Sequence, residues 1–432
     1  MSVRVAIVGS GIAGLSAAHH LADHAEVSLF EADSYFGGHA HTVNVTLPGK
    51  QGPCTFGVDT GFLVYNERTY PGLISLFEQL GIETAHSNMS FSVQAPWGGS
   101  GVLEWNGADL NSVFAQRRNF FRPRFWWLLR DILRFNRLTT ALAKSYDDGA
   151  LMQPLQAFLD QHGFGPTFRD TYLLPMLGCI WSCPTAQMLE FPAATMVRFC
   201  DNHGLLQVNN RPQWFTVKGG SQRYVEAVTS RIAHKHLRTP VQSVRRDEQG
   251  VTLHTEAGAQ RFDHVVLACH ADQALALLEQ PSADETSVLS AIRFQDNLAV
   301  LHTDTSVMPD RKLAWAAWNY QRLRDTSHGS RVCLHYWLNT LQPLPFTQDV
   351  FVSLNPLTAI DPSKLLGQYH YTHPVLDLAA IQAQRRMGQL QGLQHTWFAG
   401  AWMGYGFHED GYKAGRSAAQ AIVQGLMQEE VA

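Results

Sequence analysis

The apolar positions at the start of the chain run without interruption through Val5, Ala6, Ile7 and Val8. They break at Gly9-Ser-Gly-Ile-Ala-Gly14, resume through Leu15, Ala17, Ala18 and Leu21, and return in a second run that ends at Glu31. A continuous apolar run of four or five residues reads as a strand buried on both faces, and the small and apolar residues after the glycines read as a helix. Strand, glycine turn, helix and second strand make a dinucleotide-binding βαβ unit. Gly9 permits the tight turn, Gly11 lets the backbone approach a pyrophosphate, and Gly14 brings the helix close to the strand, with the helix N-terminus favouring phosphate charge. Glu31 follows Gly11 by 20 residues, where a carboxylate can accept ribose hydroxyl protons.

Further along, the segment from Thr239 to Ala271 alternates as a β-hairpin and leads into another apolar strand. The last 37 residues or so, from His395, read as a strand, a glycine-rich turn and a final helix. Asp410 is placed to cap that helix. At 432 residues and 45% hydrophobic content, the chain exceeds the ~250 to 300 residues at which one core stops growing, so two domains are expected. A formal net charge of -4 argues against a general nucleic-acid binder.

The two ends of the chain together resemble the FAD-dependent amine oxidase and phytoene desaturase superfamily. Gly37, Gly38 and His39 stand where relatives carry two glycines beside the cofactor, GVDTGF (Gly57 to Phe62) resembles an Asp-x-Gly segment, and TVKGGSQRYVEAV (Thr216 to Val228) resembles a glycine pair opening a helix. The resemblance implies an α/β fold: a Rossmann-type FAD-binding domain assembled from residues 1–81, 215–271 and 395–432, and a mixed α+β substrate domain from 82–214 and 272–394. It further implies that FAD is held by Gly9, Gly11, Ile12, Ala13, Gly14, Glu31, Ala32, Gly37, Gly38, His39, Thr60, Gly61, the backbone of Val241, Ala268, Gly400, Ala401, Gly411, Tyr412 and Ala414. The helix beginning near Gly411 would then point its positive end at the flavin pyrimidine, stabilising the electron-rich reduced ring. With no cysteine beside the C-terminal motif, the FAD is expected to be noncovalent.

GGHAHTV, GFLVYN, CIWSCP, FPA, RPQWFTVKGGS and GFHEDG narrow the resemblance to flavoproteins related to the N-terminal domain of plant cyclopropane fatty acid synthases. That group implies a lipid or other apolar substrate, a methylated or unsaturated fatty-acyl chain on phospholipid, with a cyclopropane synthase-like methyltransferase as partner. Trp181, Phe191, Trp214, Trp315, Trp318, Tyr336 and Trp337 could line a tunnel for it or be ordinary core. The expected reaction is hydride transfer from a substrate C–H to flavin N5, as a desaturase or dehydrogenase; an amine or amino-acid oxidase, a double-bond isomerase, or a flavoprotein that stabilises a partner are the alternatives. His39, His41, Tyr65, His408 and Glu409 are the candidates for moving a proton, in competition with plain packing around the cofactor.

His39-x-His41 on a strand would put two of the 20 histidines on one face, a spacing that could suit metal, but with no acidic or cysteine partner nearby a polar flavin pocket is the preferred reading. The six cysteines have no CxxC pair, which suggests reduced thiols; Cys179 and Cys183 are expected to be two buried thiols. A first strand so near Met1 and the lack of an ~18-residue apolar stretch predict a cytoplasmic protein, neither exported nor membrane-spanning. Arg117 to Leu138 stands apart, with seven arginines, one acid (Asp131) and six aromatics. A helix from Pro123 could lie on the inner face of an anionic membrane or pack on its own protein with the arginines in water.

Overall fold

A computed structural model describes residues 2–99, 101–145, 153–181, 185–207, 211–323 and 332–431. Cys183, and with it part of the CIWSCP segment, lies outside these residues. The first two apolar runs form parallel strands, Arg4–Val8 and Glu26–Phe30, at the centre of an all-parallel five-stranded sheet in the order His234–His236, Glu26–Phe30, Arg4–Val8, His264–Leu267, Thr396–Phe398. Its strands come from both ends and the middle of the chain, so distant segments close one layer.

The two-residue period of a strand sends alternate side chains to opposite faces. Val5, Ile7 and Val266 pack against the first helix, Ile12–Leu21, and the final helix, His408–Val431, while Ala6, Val8, Val265 and Leu267 pack against the antiparallel meander formed by Ser243–Asp247, Gly250–Thr255 and Gly258–Phe262. The two helices touch backbone to backbone, because a Cβ on Gly415 would meet the Ala13 carbonyl oxygen and lie 3.0 Å from the Ala17 nitrogen. This makes Gly415 a packing glycine that the N-terminal motif alone does not reveal.

The second unit is a seven-stranded sheet in the order Leu365–Val375, Arg293–His302, Phe351–Leu354, Cys333–Trp337, Trp318–Gln321, Phe91–Trp97, Gly101–Asn106. Against it lie helices that include Pro123–Ser145, Leu174–Trp181 and Ala193–Asn202, and their inner faces form the largest apolar core. The two units are tied at Asp59, which is fully buried. It accepts hydrogen bonds from the Thr42 and Ser221 hydroxyls (2.6 and 2.7 Å), the Ser221 amide (2.9 Å) and the Gln342 amide side chain (2.7 Å). Among the described residues no helix is long and apolar enough to cross a membrane.

Candidate FAD cleft and active site

The glycine turn is built by contacts that a side chain would forbid. Gly9 sits at φ +100°, and a Cβ there would lie 2.6 Å from the Ala268 carbonyl oxygen; a Cβ on Gly14 would collide with the Gly9 carbonyl. Gly11 differs: its φ is -63°, open to any residue, and its Cβ direction meets nothing within 4 Å. It faces a cavity of about 1250 Å³. The first turn of the helix presents amides there with no side-chain cap, so an anion is the natural partner of this end.

Ser10, which the sequence pattern did not single out, organises the turn. Its amide and hydroxyl both donate to one oxygen of Glu31 (2.9 and 2.5 Å), its hydroxyl accepts from the Gly37 amide (3.1 Å), and the other Glu31 oxygen accepts from the Asp33 amide (2.9 Å). Glu31 therefore ties the phosphate turn to the following loop as well as facing the cavity. Gly38, at φ +57°, passes so close that its Cβ would be 3.2 Å from the Gly11 Cα.

Gly9, Gly11, Ile12, Ala13, Glu31, Ala32, Gly38, His39, Gly61, Val241, Ala268, Gly400, Ala401 and His408 all line this one cavity. Gly14, Gly37, Thr60, Gly411, Tyr412 and Ala414 do not. Gly14 is buried beneath Gly9, Gly37 turns the loop at φ +125°, and Thr60 is bonded to the Tyr371 hydroxyl at 2.7 Å. A Cβ on Gly411 would lie 2.7 Å from Ile12, the Tyr412 carbonyl accepts from Ser16, and Ala414 packs with the first helix. These six support the cleft from behind. The final helix begins at His408, three residues before Gly411, and Asp410 folds back to accept from the Tyr405 and Phe407 amides (3.1 and 3.0 Å). It stabilises the preceding turn, where Gly400, Ala401, Gly406 and Phe407 reach the cavity.

The candidate proton-moving groups separate in the same way. His39 and His41 lie in the loop before strand Thr42–Gly49, so the expected shared strand face does not form. His39 is half-buried on the cavity wall, and its Nε2 is shielded and has no hydrogen-bond partner. Burial holds its pKa well below the ordinary imidazole value, and His373, His270 and His408 add in the same direction. His41 turns away, stacked on Tyr35 at 4.1 Å and bonded to Tyr371 (3.0 Å). Tyr65 packs among Tyr70, Phe77 and Phe215 and does not reach the cavity. Glu409 accepts from the Gly72 and Leu73 amides (3.0 and 2.9 Å), capping helix Pro71–Leu80, because its position beside that helix is set by the tertiary fold. His408 stacks on Phe62 at 3.7 Å and bonds the Tyr224 hydroxyl (3.1 Å); burial lowers its pKa to about 3. His270, just past strand His264–Leu267 of the parallel sheet, and His373, from the seven-stranded sheet, complete a wall of four neutral imidazoles that no local sequence signal reveals. Among the described residues no cluster of His, Cys, Asp or Glu is arranged to hold a metal ion.

The residues present fit FAD: an open Cβ direction at Gly11, an acid beside the turn and, further along the same cavity, the His39 ring with its shielded Nε2 unpartnered. Glu31→Ala is expected to weaken FAD binding by ~1.5 to 3 kcal/mol, the value of a hydrogen bond to a charged group. Titration of apoprotein with FAD measures it, and an unchanged dissociation constant would remove Glu31 from the cofactor contacts.

The profile of the flavin-containing amine oxidoreductases matches residues 12–341. No curated protein sequence matches the chain. Among solved structures, the chain is similar to a fatty acid isomerase from P. acnes that produces CLA (16% identity, 97% of this chain and 98% of that one, TM-score 0.68). It is also similar to the cyclohexylamine oxidase of Brevibacterium oxydans IH-35A (18%, 99% and 100%, 0.69). A putative protoporphyrinogen oxidase from Exiguobacterium sp. 255-15 is alike to the same degree (16%, 98% and 99%, 0.69). At these identities the likeness is one of fold. The profile spans most of the chain and agrees with the cleft: this protein belongs to the flavin-containing amine oxidoreductase family and is an FAD-dependent oxidoreductase.

Proposed function

We propose that the protein desaturates or dehydrogenates a fatty-acyl chain, methyl-branched or unsaturated. The observation that carries this reading is the second arm of the cavity, continuous with the cofactor cleft and walled by side chains such as Phe91, Trp105, Met176, Ile180, Trp181 and Tyr336. Among the described residues, the acids on the cavity wall are Glu31 and Asp33, both at the nucleotide end. An ammonium group entering the second arm would find no carboxylate among the described residues, whereas an extended hydrocarbon would exchange water for apolar wall at ~25 cal/mol per Å². Trp181, Trp214, Trp318 and Tyr336 face this cavity; Phe191, Trp315 and Trp337, the other candidates for a tunnel, do not.

Bound FAD supplies a two-electron acceptor for hydride. The chain's residues align one C–H bond, exclude water and receive the proton lost from the neighbouring carbon. We assign that proton to His39, a residue of the wall whose neutral Nε2 has no hydrogen-bond partner. Loss of hydride from one carbon and a proton from the next leaves one new double bond. The resemblance to flavoproteins related to cyclopropane synthases favours a methyl-bearing chain, with a methyltransferase of that kind as partner. Mass spectrometry of lipids from cells with and without the protein is expected to show a species two mass units lighter. Identical profiles would count against desaturation, and an unchanged mass with a moved double bond would favour an isomerase.

A further inference from the structure

The arginine-rich segment resolves into two sets of side chains with different tasks. Arg124 lies over the Trp97 ring at 4.3 Å and bonds the Thr167 hydroxyl, while Arg134 lies over Phe164 at 4.0 Å and bonds the Gly163 carbonyl at 3.0 Å. These two fasten helix Pro123–Ser145 to the protein. The helix sends Trp126, Arg130, Leu133 and Arg137 outward along one face, at the i, i+4, i+7, i+11 spacing of a single stripe.

Of the large hydrophobic side chains that are exposed among the described residues, all the aromatic ones belong to this region: Phe120, Phe121, Trp126 and Trp127, with Phe121 83% and Trp127 64% exposed. Three of them are held together, since Phe120 packs edge-on against Phe114, Phe121 and Trp126, and the Trp126 indole donates to the Phe120 carbonyl at 2.9 Å. A fixed group of exposed aromatics is costly in water and needs a cover. Leu110 and Leu133 are 78% and 46% exposed and at the same time line the cavity, together with Val113, Leu129 and Ile132. The apolar arm therefore opens within this patch.

We propose that the face formed by Leu110, Phe120, Phe121, Trp126, Trp127 and Leu133, with Arg130 and Arg137, docks on an anionic phospholipid bilayer, so that the mouth of the cavity meets the acyl layer. From 117 to 137 seven arginines stand against a single acid, Asp131, on a chain whose formal net charge is -4. The local charge suits anionic headgroups, and aromatic rings suit the interface. What passes through the mouth rests on the acyl-chain reading; the docking itself does not.

The test is co-sedimentation of the FAD-loaded protein with phosphatidylcholine vesicles made with or without phosphatidylglycerol. The wild type is expected to pellet with the anionic vesicles and to be released as salt rises. Phe121→Ser with Trp127→Ser, and separately Arg130→Gln with Arg137→Gln, are each expected to weaken this roughly tenfold while keeping the flavin spectrum and melting temperature. Wild type that stays in the supernatant, equal pelleting with neutral vesicles, or unweakened binding by spectrally intact variants would overturn the proposal. Docking without oxidation of any acyl chain would sink the functional reading alone; oxidation of detergent-dispersed chains without docking would sink this one alone.

Discussion

Gly11→Val is expected to give a folded, colourless protein. Its backbone is already in a conformation open to valine, and the new side chain would extend into the cavity, meeting no protein atom within 4 Å of its Cβ. The fold should keep its circular dichroism and the melting temperature of wild-type apoprotein, while the branched side chain occupies the path of the pyrophosphate. Gly14→Val is the contrasting case, since its Cβ collides with the Gly9 carbonyl and the first helix cannot seat against the sheet. It should be recovered poorly or not at all. If Gly11→Val is purified yellow, with FAD at wild-type stoichiometry, the turn does not bind the cofactor.

Acid should unfold the protein well before its carboxylates reach their usual range. Burial lowers His203, His302 and His373 to about 4 and His335 and His408 to about 3, against 6.5 for the free group. The Ser353 hydroxyl joins two of them, 2.6 Å from His302 Nε2 and 2.6 Å from His335 Nδ1. One hydroxyl can donate to one neutral imidazole and accept from another, but two imidazoliums would both be donors. Because these folded pKa values are depressed, the unfolded chain binds more protons below about pH 6.5, and stability falls from there toward about pH 4. Each such group removes ~1.4 kcal/mol per pH unit. Asp59 and Asp410, raised to about 6 by burial, act oppositely and offset part of the loss. The remainder is several kcal/mol by about pH 5, comparable with the ~5 to 15 kcal/mol of a typical fold. Urea midpoints of the apoprotein at constant ionic strength should drop steeply from pH 7 to 5; a flat profile would mean that these imidazoles charge without unfolding.

What the sequence reveals is what local geometry decides. The turn from Gly9 to Gly14 and the acid at Glu31 are fixed by spacing within one βαβ unit, and both face the cavity. The glycines at 400 and 406 are legible for the same reason, as a turn before a helix. Tyr65, His41 and Glu409 mislead because their neighbours arrive from far along the chain: Phe215 for Tyr65, Tyr371 for His41, and the amides of Gly72 and Leu73 for Glu409. His373 escapes notice for the converse reason, being an isolated histidine that only domain packing brings beside His39, and His270, three residues past a strand of the parallel sheet, carries no local motif either. The arginine-rich segment is conspicuous in composition, yet which arginines hold the helix and which face outward depends on Trp97 and Phe164, rings contributed by other elements.

The measurement that bears most directly on the account is anaerobic reduction of the bound flavin, followed by stopped-flow absorbance, with unsaturated or methyl-branched acyl chains in one syringe and primary or cyclic amines in another. Bleaching by the acyl chains in a single turnover, with an added double bond in the recovered lipid and none of that rate with amines, is the predicted result. Bleaching by amines while acyl chains leave the flavin oxidised would contradict it.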